Sequence, residues 1–74
     1  MVTGAQIKAA RALLGWSVRD LARHAAITIA DVQEVENATK LPRRRLVDAI
    51  AIQRALEEGG IKFIDSVGVQ FPPP

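Results

Sequence analysis

The chain has 74 residues, a formal net charge of +2 and no cysteine, so it has room for one domain with a small core. Without cysteine, and with His24 as its single histidine, it can form neither a disulfide nor a thiolate or multi-histidine metal site, and we expect no metal and no cofactor. No apolar run reaches the roughly 18 residues of a membrane span and no signal-peptide pattern is present, so we expect a cytoplasmic protein with no membrane partner.

The first predicted helix begins with a capping box, in which Thr3 and Gln6 each satisfy a backbone N–H group of the other. In the run that follows, four apolar residues share one helical face: Ile7, Ala10, Leu13 and Leu14. Gly15 then suits the left-handed conformation that ends a helix, and Trp16 is expected to be a core residue between the first two helices.

Two further capping boxes, Ser17 with Asp20 and Thr28 with Asp31, predict two helices that start eleven residues apart. The few residues between them leave room only for a tight turn. A helix, a turn of three to four residues and a second helix form a helix-turn-helix unit, whose second helix can enter the major groove of DNA.

The third helix is predicted to bury Val32 and Val35 and to end in a left-handed turn at Asn37. Its outward set is then Ile29, Ala30, Gln33 and Glu34. A fourth helix is predicted over residues 43–58, with Pro42 suited to the first turn. Its apolar face is predicted to hold Leu46, Val47, Ile50, Ala51 and Leu56, with Ile52 on a flank.

Beyond Gly59 and Gly60 the apolar residues alternate with polar ones, which predicts one short strand and a second if the chain turns. The fold class is mainly α: a compact four- to five-helix bundle with a helix-turn-helix unit and a short C-terminal β-strand or hairpin. The predicted parts are a helix-turn-helix domain (1–60), a strand segment for dimerisation (61–71) and a disordered tail (72–74).

An isolated strand has an uncovered edge and an uncovered apolar face. We therefore expect a homodimer in which two copies pair through Ile61, Phe63 and Ile64. The alternative is a hairpin that folds back on its own helices.

Across residues 3–64 the chain resembles the phage-repressor-like regulators, the Cro/C1 or XRE family of helix-turn-helix proteins. The resemblance rests on the runs TGAQIKAARALLGWS, DLARHAAIT and VENATKLP, and on GGIKFI after an amphipathic helix. It implies a bundle that usually has five helices, with one long fourth helix here in place of the last two. It is nearest to small bacterial members that end in a strand segment. It also implies a buried ion pair between Arg11 and Glu36, which would tie the first helix to the end of the third.

The resemblance further implies a DNA-binding surface in three parts. The start of the second helix would approach phosphates, the start of the third would face base edges, and the loop beyond would hold the DNA backbone. In chain order these residues are Ser17, Val18 and Arg19, then Thr28, Ile29, Ala30 and Gln33, then Lys40, Arg43 and Arg44. Gln33 suits an adenine, and Ile29 and Ala30 suit thymine methyl groups.

Three features depart from the family pattern. Val18 stands where a polar Gln is common, and Ala26 stands where Gly is usual in the turn, at a cost of about 1 kcal/mol in a left-handed conformation. The third helix also carries Asp31, Glu34 and Glu36 and no base. With Asp31 expected in the cap and Glu36 in the ion pair, Glu34 is left as the main group that would repel a phosphate.

Charge is unevenly placed along the chain. Residues 1–45 hold eight bases and four acids, a net +4, whereas residues 46–74 hold two bases and four acids, a net −2. Any face that binds a polyanion should therefore lie in the first part, and the alternative is an ordinary solvated surface. Together with the resemblance, this distribution leads us to expect a DNA-binding transcriptional regulator that acts as a homodimer on a two-fold operator.

The alternative function is a protein-binding module on the same fold, which inhibits or tethers another regulator through Ile29, Ala30 and the acidic outer face. An enzyme is not expected. The sequence contains no nucleophile with a base, no phosphate-binding glycine loop and no cluster of metal ligands.

Overall fold

Four α-helices precede a two-stranded antiparallel hairpin in this computed structural model, which describes residues 2–64 and 68–70. The elements are α1 (Gly4–Leu14), α2 (Val18–Ala25), α3 (Ile29–Asn37), a 3₁₀ turn (Arg43–Arg45), α4 (Leu46–Glu58), β1 (Lys62–Ile64) and β2 (Gly68–Gln70). The mainly helical fold class and the short C-terminal hairpin are thus confirmed. The predicted disordered tail, 72–74, lies outside the described residues. No helix in the described part is both long and apolar enough to cross a membrane.

All three predicted capping boxes form. Each hydroxyl accepts a hydrogen bond from the backbone N–H three residues on, at 3.1 Å for Thr3, 3.0 Å for Ser17 and 3.0 Å for Thr28. The reciprocal bonds, from each cap residue's own N–H to the side chain three residues on, measure 2.9, 2.9 and 3.2 Å. The starts of α1, α2 and α3 are therefore set by local sequence.

The ends of α1 and α2 share a left-handed geometry but use different residues. Gly15 has a φ of 69° and Ala26 a φ of 59°. For Ala26 this conformation is strained, because its Cβ crowds the following carbonyl oxygen. The left-handed turn predicted at Asn37 is wrong: Asn37 is the last residue of α3, and the chain leaves it extended at Ala38, with φ −71° and ψ 124°.

The core lies where the four helices meet. Its largest fully buried side chains are Ile7, Leu21, Val32, Ile52 and Leu56. Trp16 lies partly buried against them and stacks on His24, with 4.1 Å between the two ring centroids. α1 also approaches the backbone of α3 closely, because a Cβ placed on Gly4 would overlap the carbonyl oxygen of Glu36. A glycine is therefore required at the start of α1.

The predicted core face of α4 is partly wrong. Leu46, Val47 and Ile50 are 39%, 76% and 45% exposed. Instead, the residues of α4 that are buried are Ala49, Ile52, Ala55 and Leu56. α4 carries apolar residues on two faces, and the inward one includes two alanines, which let its backbone pack close to the other helices.

The C-terminal segment folds back on its own helices. Phe63 pairs with Val69 across the hairpin, both residues pack against the core, and β2 contacts α1. Ile61 is 4% exposed and belongs to the core. Of the three residues predicted to mediate dimerisation, Ile61 and Phe63 are therefore engaged within one chain, whereas Ile64 is 39% exposed. The prediction of a strand-mediated dimer assumed that this apolar face was uncovered, but the chain's own helices cover it.

Arg11 and Glu36, which the resemblance paired, form a two-pronged ion pair. Arg11 Nε lies 2.6 Å from Glu36 Oε2, and Arg11 Nη2 lies 3.1 Å from Glu36 Oε1. The two side chains are 18% and 4% exposed. Arg11 Nη1 also donates to the backbone oxygen of Trp16 at 3.2 Å. This guanidinium thereby joins α1 to the end of α3 and to the segment before α2.

We expect Arg11→Ala to lower the free energy of unfolding by about 3 to 5 kcal/mol, because it leaves the Glu36 carboxylate buried without a cation. In a domain of this size the melting temperature should fall by about 10 °C or more. The control is Arg23→Ala, which removes an arginine that is 71% exposed in its pair with Asp20 and should cost less than about 1 kcal/mol. Thermal and urea unfolding followed by circular dichroism would compare them, and equal effects would contradict the role given to Arg11.

A second stability test uses the two left-handed caps. Ala26→Gly is expected to raise the free energy of unfolding by up to about 1 kcal/mol, because glycine adopts this conformation without strain. Gly15→Ala is the reverse change in the same cap geometry, and nothing lies within 4 Å of the added Cβ, so we expect a loss of similar size. Urea midpoints would measure both, and a destabilised Ala26→Gly variant would show that the turn is not strained.

Candidate nucleic-acid interface

The residues predicted to face base edges lie exposed at the start and on the outer side of α3: Thr28, Ile29, Ala30 and Gln33. Ile29 is 39% exposed, whereas Val32 and Val35 on the inner side are 0% and 4% exposed. The outer side therefore presents a short apolar patch followed by one amide group, which is both a donor and an acceptor.

Arg45, at the end of the 3₁₀ turn, binds carboxylates from two helices. Its Nη1 lies 2.6 Å from Asp31 Oδ1 and 2.9 Å from Asp48 Oδ2, and its Nη2 forms a salt bridge with Glu34. The Arg45 side chain is only 19% exposed. This guanidinium fixes the 3₁₀ turn beside α3 and joins α3 to the first turn of α4.

We define the Arg45 cluster as Arg45 with Asp31, Glu34 and Asp48. Contacts within it shift the pKa values of Asp31 and Arg45. The hydrogen bond from Arg45 holds the pKa of Asp31 below its usual 3.8, and the backbone and hydroxyl groups of Thr28 act in the same direction. Hydrogen bonds to Asp31 and Asp48 raise the pKa of Arg45. Both partners are therefore charged at neutral pH.

Each acid of α3 is bound by an arginine, although the sequence analysis left Glu34 without one. Glu36 pairs with Arg11, and Asp31 and Glu34 share Arg45. One guanidinium does not cancel the three carboxylates of the Arg45 cluster, so this edge of α3 remains acidic but less so than the bare sequence implies. The role of Arg45 was missed because it lies fourteen residues from Asp31. Its three-residue spacing to Asp48 is the single local signal.

Four exposed bases of the predicted site form no salt bridge with any described residue: Arg19, Lys40, Arg43 and Arg44. Arg43 and Arg44 share the 3₁₀ turn with Arg45, which holds that turn against α3. Arg19 lies in the first turn of α2, which packs against α3, and Lys40 lies in the connection that follows α3. Ser17 is exposed at the start of α2, whereas Val18 packs against the core and its side chain has no donor for a phosphate.

Comparison of the chain with known proteins gave no matching family model and no match among curated proteins. Among the described residues, no three histidine or acidic side chains are grouped so as to hold a metal ion. The function proposed below therefore rests on this chain's own residues and on the sequence resemblance described above.

The Arg45 cluster predicts a specific response to acid. Because the pKa of Asp31 is lower in the folded chain than in the unfolded chain, the stability it contributes is present above its usual pKa of 3.8. That contribution is lost as the pH falls through the lower, folded value. Urea midpoints measured between about pH 2 and pH 6 should therefore decrease toward acid.

Arg45→Gln removes the largest cause of the Asp31 shift and should flatten this decrease. Arg44→Gln is the matched control, because it removes a neighbouring arginine that has no salt bridge among the described residues, and it should keep the wild-type profile. An Arg45→Gln variant whose midpoint falls as steeply as that of the wild type would contradict the coupling between Arg45 and Asp31.

Proposed function

We propose that this chain is a sequence-specific DNA-binding transcriptional regulator that acts as a homodimer on a two-fold operator. The observation that carries the proposal is the outer face of α3, where Ile29, Ala30 and Gln33 are exposed. Beside it, the 3₁₀ turn holds Arg43 and Arg44, which form no salt bridge among the described residues. The sequence resemblance to phage-repressor-like regulators also supports the proposal.

The flanking bases carry most of the expected affinity. Each contact between a base such as Arg43 or Arg44 and a DNA phosphate releases counterions, so affinity should fall steeply with salt. Because the Arg45 cluster leaves one edge of α3 acidic, these contacts have to hold α3 against the DNA. We assign the same role to Arg19, Lys40 and the Ser17 hydroxyl at the start of α2.

The bases are read, in this proposal, by the outer face of α3. The amide of Gln33 can bond two edge atoms of an adenine, and Ile29 and Ala30 can contact the methyl groups of thymines. α3 has 9 residues and is therefore about 13 Å long, which corresponds to roughly four base pairs of DNA. So few base pairs do not define a unique site, and this is why a homodimer on two half-sites, about 34 Å apart, is part of the proposal.

A second candidate function is a protein-binding module that uses the same face. Glu34 is 53% exposed on the same helix as the apolar pair Ile29 and Ala30. Exposed apolar residues with an acidic neighbour suit a groove on another protein that is lined by bases. In this case α3 would bind another regulator in place of DNA.

DNA binding can be tested on sequences selected from a random duplex pool. Changing Arg43 and Arg44 together to Gln should weaken binding and reduce the slope of log K against log salt by about 4, since the dimer loses two phosphate contacts in each copy. Lys62→Glu is the control, because it changes the net charge by the same amount at an exposed residue of β1, and it should leave the slope almost unchanged. Gln33→Ala should weaken binding to the selected sequence more than binding to unselected DNA.

Two outcomes would count against this function. Absence of binding at low salt would contradict DNA binding, and the recovery of a stable protein partner that Ile29→Lys abolishes would then establish the second candidate. An equal loss for Lys62→Glu and for the double arginine variant would show that net charge matters and that the 3₁₀ turn does not contact phosphates.

A further inference from the structure

Helix α4 has a second apolar face, which we call the outer α4 face and define as Leu46, Val47, Ile50 and Ala51. Val47 is 76% exposed, Ile50 is 45% exposed and Leu46 is 39% exposed. On the opposite side of the helix, Ile52 and Leu56 are fully buried. Monomeric soluble proteins seldom leave a contiguous apolar surface of this kind unused, and such a surface marks a binding site.

A groove of about 310 Å³ runs beside the outer α4 face. His24 and Ala25, at the end of α2, line one side, and the α4 residues line the other: Val47, Ile50, Ala51, Arg54, Ala55 and Glu58. A ridge of branched apolar residues at a groove whose lining includes three alanines, Ala25, Ala51 and Ala55, is a surface against which another helix can pack, ridge into groove. The shape therefore fits a helix as the binding partner.

The charges at the two ends of α4 favour one particular helix. Arg43 and Arg44 precede the helix, and Glu57 and Glu58 end it. A second α4 that runs antiparallel to the first places the basic end of each copy opposite the acidic end of the other. A parallel pair would place like charges together, which is unfavourable. The outer α4 face is therefore electrostatically complementary to itself in the antiparallel orientation.

We propose that the outer α4 face binds a second copy of this chain, with the two α4 helices antiparallel about a two-fold axis beside Ile50. In this arrangement Val47 of each copy enters the groove of the other, opposite Arg54, and Arg43 lies opposite Glu58. The interface is isologous, because the same surface is used by both copies. It includes neither the hairpin nor the outer side of α3, and it shares only Arg43 with the proposed phosphate contacts, so it can be tested without DNA.

The expected dimer is weak. A standard interface covers about 800 Å² of each partner. That is about one sixth of the 4782 Å² surface of this chain, and one face of a single helix covers less. We therefore expect a dissociation constant in the micromolar range, with a concentration-dependent equilibrium between monomer and dimer.

Sedimentation equilibrium of the full chain, without DNA, tests this interface. Val47→Lys should raise the dissociation constant at least tenfold without unfolding the chain, because the Val47 side chain is largely exposed in one copy. Leu13→Lys makes the same chemical change at another exposed apolar residue, 46% exposed on α1, and should leave the constant unchanged. A wild-type chain that is monomeric at every concentration would overturn the proposal. So would a dimer that resists Val47→Lys and is dissociated by Ile64→Lys in the hairpin.

A charge-reversal cycle tests the antiparallel orientation. Arg43→Glu and Glu58→Arg should each weaken the dimer severalfold, because each places like charges opposite one another. The double variant restores opposite charges across the interface and should return the dissociation constant to near its wild-type value. A double variant weaker than both single variants would overturn the antiparallel pairing. Because no DNA is present, the result does not depend on any contact of Arg43 with phosphate.

Discussion

The guanidinium of Arg45 connects the candidate DNA-binding helix to α4, as the guanidinium of Arg11 connects it to α1. It binds Asp31 and Glu34 on α3 and Asp48 on α4, so α3 and the start of α4 meet at one cation. Without this cation, three carboxylates would lie together and repel both one another and any nearby anion. The position of the 3₁₀ turn, and of the two exposed arginines in it, therefore depends on Arg45.

The parts of this fold that the sequence predicted well are those determined within a few residues. A capping box needs only a hydroxyl and a polar side chain three residues apart, so the starts of α1, α2 and α3 follow from the residue order. Gly15 ends α1 for an equally local reason. In the Arg45 cluster only the spacing between Arg45 and Asp48 is local, and Asp31 and Glu34 reach Arg45 only through the packing of α4 on α3. Glu34 was expected to stay unpaired for the same reason.

Two predictions concerned which apolar surface is buried and what covers it, and residue spacing does not determine this. α4 has eight apolar residues among its thirteen, spread over two faces, and helical period alone does not select which face is buried. Packing selects it, because the face with Ala49 and Ala55 allows the closer approach. The same ambiguity applies to the hairpin, because Ile61 and Phe63 would be covered equally well by a second subunit or by the chain's own helices. The chain's own core covers them, whereas the outer α4 face holds three of the six large apolar side chains that are exposed among the described residues.

Arg45 connects the two proposed surfaces, the outer side of α3 and the outer α4 face. Asp48 lies in the first turn of α4 and Asp31 in the first turn of α3, and both are bound by the same nitrogen of Arg45, at 2.9 and 2.6 Å. A dimer formed through α4 would therefore fix the separation of the two α3 helices and leave little freedom between them. Even a weak dimer of this kind would raise operator affinity, because binding of the first α3 holds the second at a high effective concentration near its half-site.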